Sequence, residues 1–345
     1  MKRFNVGVVG YGWAAGAHIN AINATSLAQV TAVCSTRSLD PTEFKRRHGV
    51  PVSVHHELDS MLAERSLDVI SICSYPSDHP QQIIAAARAG KHLIIEKPLC
   101  LNPQDLASIR QAVKRAGVRA CVCFELRYSS QFKTTKEVID QGQLGRIHYG
   151  EIDYYHGIGP WYGQFRWNVR REVGGSSLLS AGCHALDALL LCMGTEVESI
   201  SSFTTQSSNP DFAKYEYPST SVTLLKFWDG SIGKVASCID CLQPYYFHTH
   251  LVGSKGSLLD NKIYSTELPG PDKNKWSELP MKLCDSGDVS DHPYQSQLEA
   301  FFLALDAGVE MPLTSLADAA KTHELIFAAA RSAELGEPVK LGPTN

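Results

Sequence analysis

Gly10-Tyr11-Gly12-Trp13-Ala14-Ala15 is the first run in the chain whose residue types and spacing could do chemistry. It has the form G-x-G-x-x-G/A: the first glycine permits a tight turn, the second lets backbone approach a pyrophosphate, and the third small residue lets a helix pack on a strand. The amide N–H groups at the helix start, on Trp13, Ala14 and Ala15, then face the anion. Ribose recognition falls to the end of the next strand, which reads Cys34-Ser35-Thr36-Arg37. No carboxylate stands there for a 2′-hydroxyl, whereas Ser35, Thr36 and Arg37 suit a 2′-phosphate, so the expected cofactor is NADP(H) or NAD(H), with NADP(H) marginally favoured. Glu96-Lys97-Pro98 ends a further strand, on the carboxyl edge where ligands bind in parallel sheets. A lysine there, beside a nicotinamide, can donate to a substrate hydroxyl or take its proton.

The elements that must position these residues follow from the apolar pattern. Short apolar runs at 4–9, 30–34, 52–55, 69–73, 92–95 and 118–124 alternate with amphipathic stretches at 14–23, 41–48, 57–64, 79–89 and 103–116. That alternation predicts a doubly wound parallel sheet, with Asp40 capping the helix that Pro41 opens. Beyond residue 125 the texture changes. A helix is expected at 132–140, then β-branched and aromatic strands at 147–155, 199–205, 221–227, 231–239 and 247–252. Asp229-Gly230 marks a tight hairpin between two of them. One helix, 176–192, interrupts the strands, and two more, 295–307 and 317–335, close the chain. The predicted fold class is α/β: an N-terminal doubly wound domain over 1–125, and a C-terminal domain over 126–345 built on an antiparallel sheet. The final helices are candidates to pack back on the first domain. Residues 269–275 read as a surface loop.

Composition narrows the function classes. The 345 residues carry 32 basic and 36 acidic side chains, a net charge of −4, which disfavours nucleic-acid binding. No apolar run approaches the roughly 20 residues of a membrane span, and no apolar leader follows the basic N-terminus. Ten cysteines lie mostly in apolar runs. Cys238-Ile239-Asp240-Cys241 lacks a second pair at zinc spacing, so no metal site is expected and a reducing cytoplasm fits. Between 154 and 171, Tyr154, Tyr155, His156, Trp161, Tyr162 and Trp167 are interleaved with Arg166, Arg170 and Arg171. Aromatic faces pack on the C–H faces of sugars, and arginine binds hydroxyls or a carboxylate. His156, Trp161, Trp167 and Arg170 are therefore candidate substrate contacts, with His292 of Asp291-His292-Pro293-Tyr294 a further one.

An ordered set of motifs spanning nearly the whole chain resembles the glucose–fructose oxidoreductase, inositol 2-dehydrogenase and rhizopine-catabolism (Gfo/Idh/MocA) family. It comprises Gly10-x-Gly12-x-x-Ala15-x-x-His18, Tyr75-Pro76-Ser77-Asp78-His79, Glu96-Lys97-Pro98, Glu125-Leu126-Arg127-Tyr128, the Gly142–Ile147 crossover, Gly174-Gly175-Ser176 through Gly182, His184 and Asp187, and Gly253–Ser257. The resemblance implies hydride transfer between a nicotinamide and a carbinol of a sugar, cyclitol or related polyol, with Lys97 and His184 catalytic. It implies cofactor contacts from Ser74, Tyr75, Pro76, His79, Glu96 and Arg127, and substrate contacts from Tyr128, Ser180 and Asp187. Many relatives have Asp four residues before the histidine. Here the residue is Ser180, and a hydroxyl cannot supply the charge that raises an imidazole's basicity; Asp187 is the candidate replacement. The resemblance also implies an N-terminal Rossmann domain followed by a C-terminal α/β domain with a large, mostly antiparallel, open-faced sheet, and homodimers or homotetramers formed by pairing those open faces. Two alternatives stay open: glycoside cleavage through a transient keto-sugar on bound NAD(H), and a non-catalytic dinucleotide-binding regulator.

Overall fold

The computed structural model describes residues 3–270, 272–285, 287–288 and 292–342, so Asp291 and part of the 269–275 loop lie outside the described residues. The chain divides into two compact units, Met1–Glu125 with Asp288–Ala320, and Leu126–Gly287 with Lys321–Asn345.

The first unit opens with β1 (Phe4–Val9), α1 (Trp13–Ala24), β2 (Ala28–Cys34), α2 (Pro41–His48), β3 (Ser53–His55), α3 (Leu58–Leu62), β4 (Val69–Ile72), α4 (His79–Arg88), β5 (His92–Ile95), α5 (Pro103–Ala116) and β6 (Ala120–Val122). The strands form one sheet in the order β3-β2-β1-β4-β5-β6, every pair parallel. All four residues of β4 are buried, as a strand covered on both faces requires. The order reverses beside β1, which opens a crevice at the carboxyl ends of β1 and β4. Asp40 caps α2 as expected, its carboxylate accepting from Thr42 N at 2.8 Å.

A 3₁₀ turn (Glu125–Tyr128) follows, and the second unit continues through α6 (Ser130–Asp140), β7 (Ile147–Tyr155), α7 (Phe165–Asn168), α8 (Arg171–Gly174), a π-helical turn (Leu178–Gly182) and α9 (Cys183–Met193). Then come β8 (Val197–Thr205), β9 (Thr220–Phe227), β10 (Ile232–Cys238), β11 (Tyr246–Gly253), β12 (Gly256–Leu259), β13 (Lys262–Ser265) and β14 (Ser277–Glu278). Helix α10 (Tyr294–Ala307) returns to the first unit, where Phe302 stacks on Phe4 at 5.9 Å, and α11 (Leu316–Leu335) and β15 (Val339–Lys340) end the chain. Among the described residues the second sheet has nine strands, ordered β14-β13-β12-β11-β7-β10-β9-β8-β15.

The second sheet is mostly antiparallel, as expected, but strands 147–155 to 247–252 are not antiparallel throughout, because β10 lies parallel to β7 at its centre. The crossover through α7–α9, β8 and β9 brings the chain back in the original direction, which a hairpin cannot do. The helix expected over 176–192 is not one continuous α-helix either; its first turn is π-helical. A Cβ on Gly182 would overlap the Ser237 side chain of β10, so the glycine lets this turn press directly on the sheet. The stretch Arg171–Met193 is long and apolar enough to cross a membrane, but its most apolar window is 83% buried inside the fold. The sheet face away from α9 carries Phe203, Leu224 and Ile232, which are 67%, 43% and 49% exposed.

Candidate active site

In the first unit the glycine turn leaves β1 at Gly10, whose φ is +87°. A Cβ there would come within 2.8 Å of Cys73 O and 2.9 Å of Ser74 N, so conformation and space both demand glycine. Gly12 is the N-cap of α1 and offers no side-chain hydrogen bond to the first turn. A Cβ on Gly12 would meet nothing within 4 Å. The turn thus presents uncapped helix amides below open space, which fits a pyrophosphate. Beside these turns in sequence, Trp13 and Tyr75 are 48% and 46% exposed. At the end of β2, Ser35 Oγ accepts from Arg37 N at 3.1 Å, shaping a small turn from which the Thr36 and Arg37 side chains emerge exposed.

Two residues expected to touch the cofactor, His79 and Glu96, are buried. His79 is 0% exposed; its Nδ1 lies 2.8 Å from Pro98 O and its Nε2 3.3 Å from Ser74 O. Burial holds its pKa below the usual histidine value, against the pull of those carbonyls, and the neutral ring ties the loop after β4 to the turn after β5. Glu96 is the second. Its Oε1 meets His18 Nε2 at 2.8 Å and takes the Tyr294 hydroxyl at 2.7 Å, while Oε2 accepts from Lys97 N at 3.1 Å. Burial alone would raise this carboxyl, but His18, Lys97 and Tyr294 outweigh it and bring it down to about 2. His18 is pushed well above the usual histidine value: burial opposes its charge, while the Cys73 and Cys123 sulfurs favour it, with the Glu96 carboxylate in contact. Lys97 therefore leaves β5 on a backbone anchored by a buried carboxylate, and its side chain is half-buried. His292 sits in this unit as well, 2.8 Å from the fully buried Glu125.

In the second unit Asp187 is tied to a residue 60 positions away. Its carboxylate takes Arg127 Nε at 2.6 Å and Nη2 at 2.8 Å, plus the Thr322 hydroxyl at 2.8 Å, and it is 2% exposed. Asp187 thus makes a buried fork-to-fork pair with Arg127. The Arg127 guanidinium in this pair is 7% exposed. Ser180, on the π turn, and His184, one residue into α9, are both buried. Tyr128 is buried with the Lys133 ammonium 5.5 Å from its ring centre.

A cavity of about 470 Å³ opens beside the end of β7. His156, Trp161, Tyr162 and Tyr245 line it, with Cys241 and Gln243. His156 Nδ1 is 3.0 Å from the Tyr154 hydroxyl, and Tyr162 and Tyr245 meet its ring edge-on at 4.8 and 5.1 Å. Trp161 is 58% exposed, and its indole N–H donates to Gly157 O at 3.1 Å. The structure thus brings His156 and Trp161 together at this cavity. Trp167 and Arg170 are not among its lining residues; Arg170 is exposed and lies 3.8 Å from Glu172. Tyr245 and Gln243 were not anticipated. The only signal for them was the aromatic run Tyr245-Tyr246-Phe247 opening β11.

Comparison with known proteins adds an independent line. A family model described as "Oxidoreductase family, NAD-binding Rossmann fold" matches residues 4–124, and one for the GFO/IDH/MocA C-terminal domain matches 132–259. Among curated proteins, a myo-inositol 2-dehydrogenase of Thermotoga maritima is 25% identical over 97% of this chain and 98% of its own length. A D-glucoside 3-dehydrogenase of Escherichia coli is 25% identical over 91% of this chain and 90% of its own. Among solved structures, a levoglucosan dehydrogenase in complex with NADH superposes with a TM-score of 0.84 at 20% identity, covering 99% of this chain and 100% of that one. The WlbA dehydrogenase of Bordetella pertussis, in complex with NADH and UDP-GlcNAcA, gives 0.81 at 23% identity, covering 99% and 100%.

Proposed function

The chain belongs to the Gfo/Idh/MocA oxidoreductase family, an NAD-binding enzyme family, and on that premise we propose that it transfers a hydride between nicotinamide and a carbinol carbon of a sugar, cyclitol or related polyol. The observation that carries this reading is the anchoring of Lys97. Its backbone is fixed by buried Glu96 at the carboxyl edge of β5, two strands and about 10 Å from β1, which feeds the uncapped N-terminus of α1. When bound, the nicotinamide supplies or accepts the hydride. Gly12 and the first amides of α1 hold the pyrophosphate, and Arg37 at the end of β2 takes a 2′-phosphate, which favours NADP(H).

Lys97 holds the substrate hydroxyl and moves its proton at that oxygen. His184 anchors a polyol hydroxyl and takes less of the proton work than in relatives with a carboxylate at position 180. Support for that division comes from Asp187, whose charge is already spent on Arg127. The aromatic cavity at His156 and Trp161 presents ring faces to the sugar. All ten cysteines are free thiols, which supports a cytoplasmic setting. The exposed Phe203, Leu224 and Ile232 on the helix-free sheet face support a homodimer or homotetramer.

The test is reduced-nicotinamide absorbance while a panel of polyols and sugars is offered with NAD⁺ and NADP⁺. Turnover of at least one is expected. In Lys97→Ala, kcat falls by about 10²- to 10⁴-fold while dinucleotide binding is retained. Wild-type turnover in that variant, or no carbinol oxidised by either cofactor, overturns the proposal.

A further inference from the structure

The face of the nine-stranded sheet turned away from α9 holds a second cluster of chemistry-bearing side chains. His248 and His250 are two residues apart on β11 and point to the same face. The register sets Glu151 of β7 directly opposite His250, and Asp153 opposite His248. One ligand atom from each of Glu151, His248 and His250 lies within 4.8 Å of the other two. All three side chains are half-buried, with room to adjust. A tetrahedral zinc ion with bonds of 2.0–2.1 Å sets its ligand atoms about 3.3 Å apart, so binding draws the three side chains closer together.

A second observation orients the cluster. His248 Nδ1 lies 3.1 Å from Asp260 Oδ1. The Asp260 carboxylate is itself fixed by the Tyr246 hydroxyl at 2.6 Å and by Thr249 N at 3.0 Å. A carboxylate on one imidazole nitrogen sets the tautomer and leaves the other as a metal ligand. We infer that Glu151, His248 and His250 form a divalent transition-metal site, with zinc the ion their donor set fits best. Two imidazoles and a carboxylate leave the fourth position to water.

Two groups compete for Glu151: the Tyr149 hydroxyl donates to its Oε2 at 2.9 Å, and the Lys234 ammonium is 2.6 Å from its Oε1 and 2.7 Å from Asp153 Oδ2. Asp153 lets Lys234 keep one carboxylate when the metal takes the other, so binding is possible but weakened. The other three-ligand cluster, His18, Glu96 and Cys123, does not offer the same chance. It is fully buried, and His18 and Glu96 already bond each other at 2.8 Å.

The experiment is a zinc titration of the chelator-stripped full-length protein against a chromophoric chelator. One zinc ion per chain is expected, with a Kd in the micromolar range. His248→Ala and His250→Ala each weaken it at least tenfold, Lys234→Met tightens it, and Cys241→Ser leaves it unchanged. If a histidine variant fails to fold, the wild-type protein loaded with cobalt(II) replaces it: tetrahedral visible bands without a thiolate charge-transfer band are expected. No zinc binding, wild-type affinity in both histidine variants, unchanged affinity in Lys234→Met, or a thiolate band in the cobalt spectrum overturns the site.

Discussion

Arg127 and Asp187 stand 60 positions apart, and nothing in their local sequence announces that they pair. Both were visible as charged residues in motif-bearing stretches, but a partner across that distance is created by packing, so the pairing could not be read from either stretch. The consequence is measurable. Asp187→Asn leaves a guanidinium buried without its counter-charge, which costs about 3–5 kcal/mol. Arg127→Met combined with Asp187→Leu removes both charges and recovers most of that loss. Urea midpoints of the two variants check this, and equal losses in both would show that the pair is not what stabilises the site. Arg37 was legible as a candidate because only its place at a strand end was needed to single it out. Its side chain is exposed, so Arg37→Ala changes stability by less than about 0.5 kcal/mol. The same variant raises KM for NADP⁺ about 10- to 100-fold, the worth of one charge-assisted hydrogen bond, and leaves NAD⁺ unchanged. Cofactor titrations that move together, or not at all, remove the 2′-phosphate assignment.

Elements with a strong local pattern were legible close to their ends. Pro103–Ala116 and Ile147–Tyr155 match the sequence expectation residue for residue, because a cap with proline in one case and a β-branched and aromatic run in the other announce them. The strands β12 to β15, of two to four residues, were not legible, since so few residues carry no periodicity and β15 owes its strand form to distant β8. The π turn at Leu178–Gly182 was hidden for a related reason: it answers to the Ser237 side chain pressing on Gly182, a contact made across the fold. Gly182→Ala therefore overpacks the junction and costs about 1–3 kcal/mol, and adding Ser237→Gly returns a large part of it. Because His184 follows two residues later, kcat falls in the single variant beyond what the folded fraction explains. Thermal unfolding and turnover measured on the same samples separate the two effects, and a single variant with wild-type stability refutes the contact.

At the scale of the whole molecule, the charge balance and the alternation of strands and helices announced a dinucleotide-binding α/β chain, whereas the buried titratable network that ties its first sheet together depended on packing. Glu96 lies at about 2 in the fold, below the roughly 4.3 of a free glutamate, because His18, Lys97 and Tyr294 outweigh its burial. Its contribution, on the order of 3 kcal/mol, is present above pH about 4.3 and is lost as pH falls towards 2. His79 works earlier on the acid side. Burial holds its pKa below the unfolded value of about 6.5, so the unfolded chain takes the proton first and stability declines as pH drops below that value. His18 has the opposite sign: its pKa is raised, so its share is complete below about 6.5 and is lost as pH rises through its elevated folded value. The first unit should therefore lose stability on the acid side in two stages, one beginning near pH 6.5 and one below about 4.3. Hydrogen exchange of the β4 and β5 amides, followed from pH 3 to 8, reads this unit without averaging over the second. In His79→Gln the first stage flattens. In Glu96→Gln protection is lower throughout the neutral range and the second stage disappears. A Glu96→Gln profile that runs parallel to wild type down to pH 3 would mean that the buried carboxylate is not held down by its partners, and Lys97 would lose the anchored backbone on which its assigned chemistry rests.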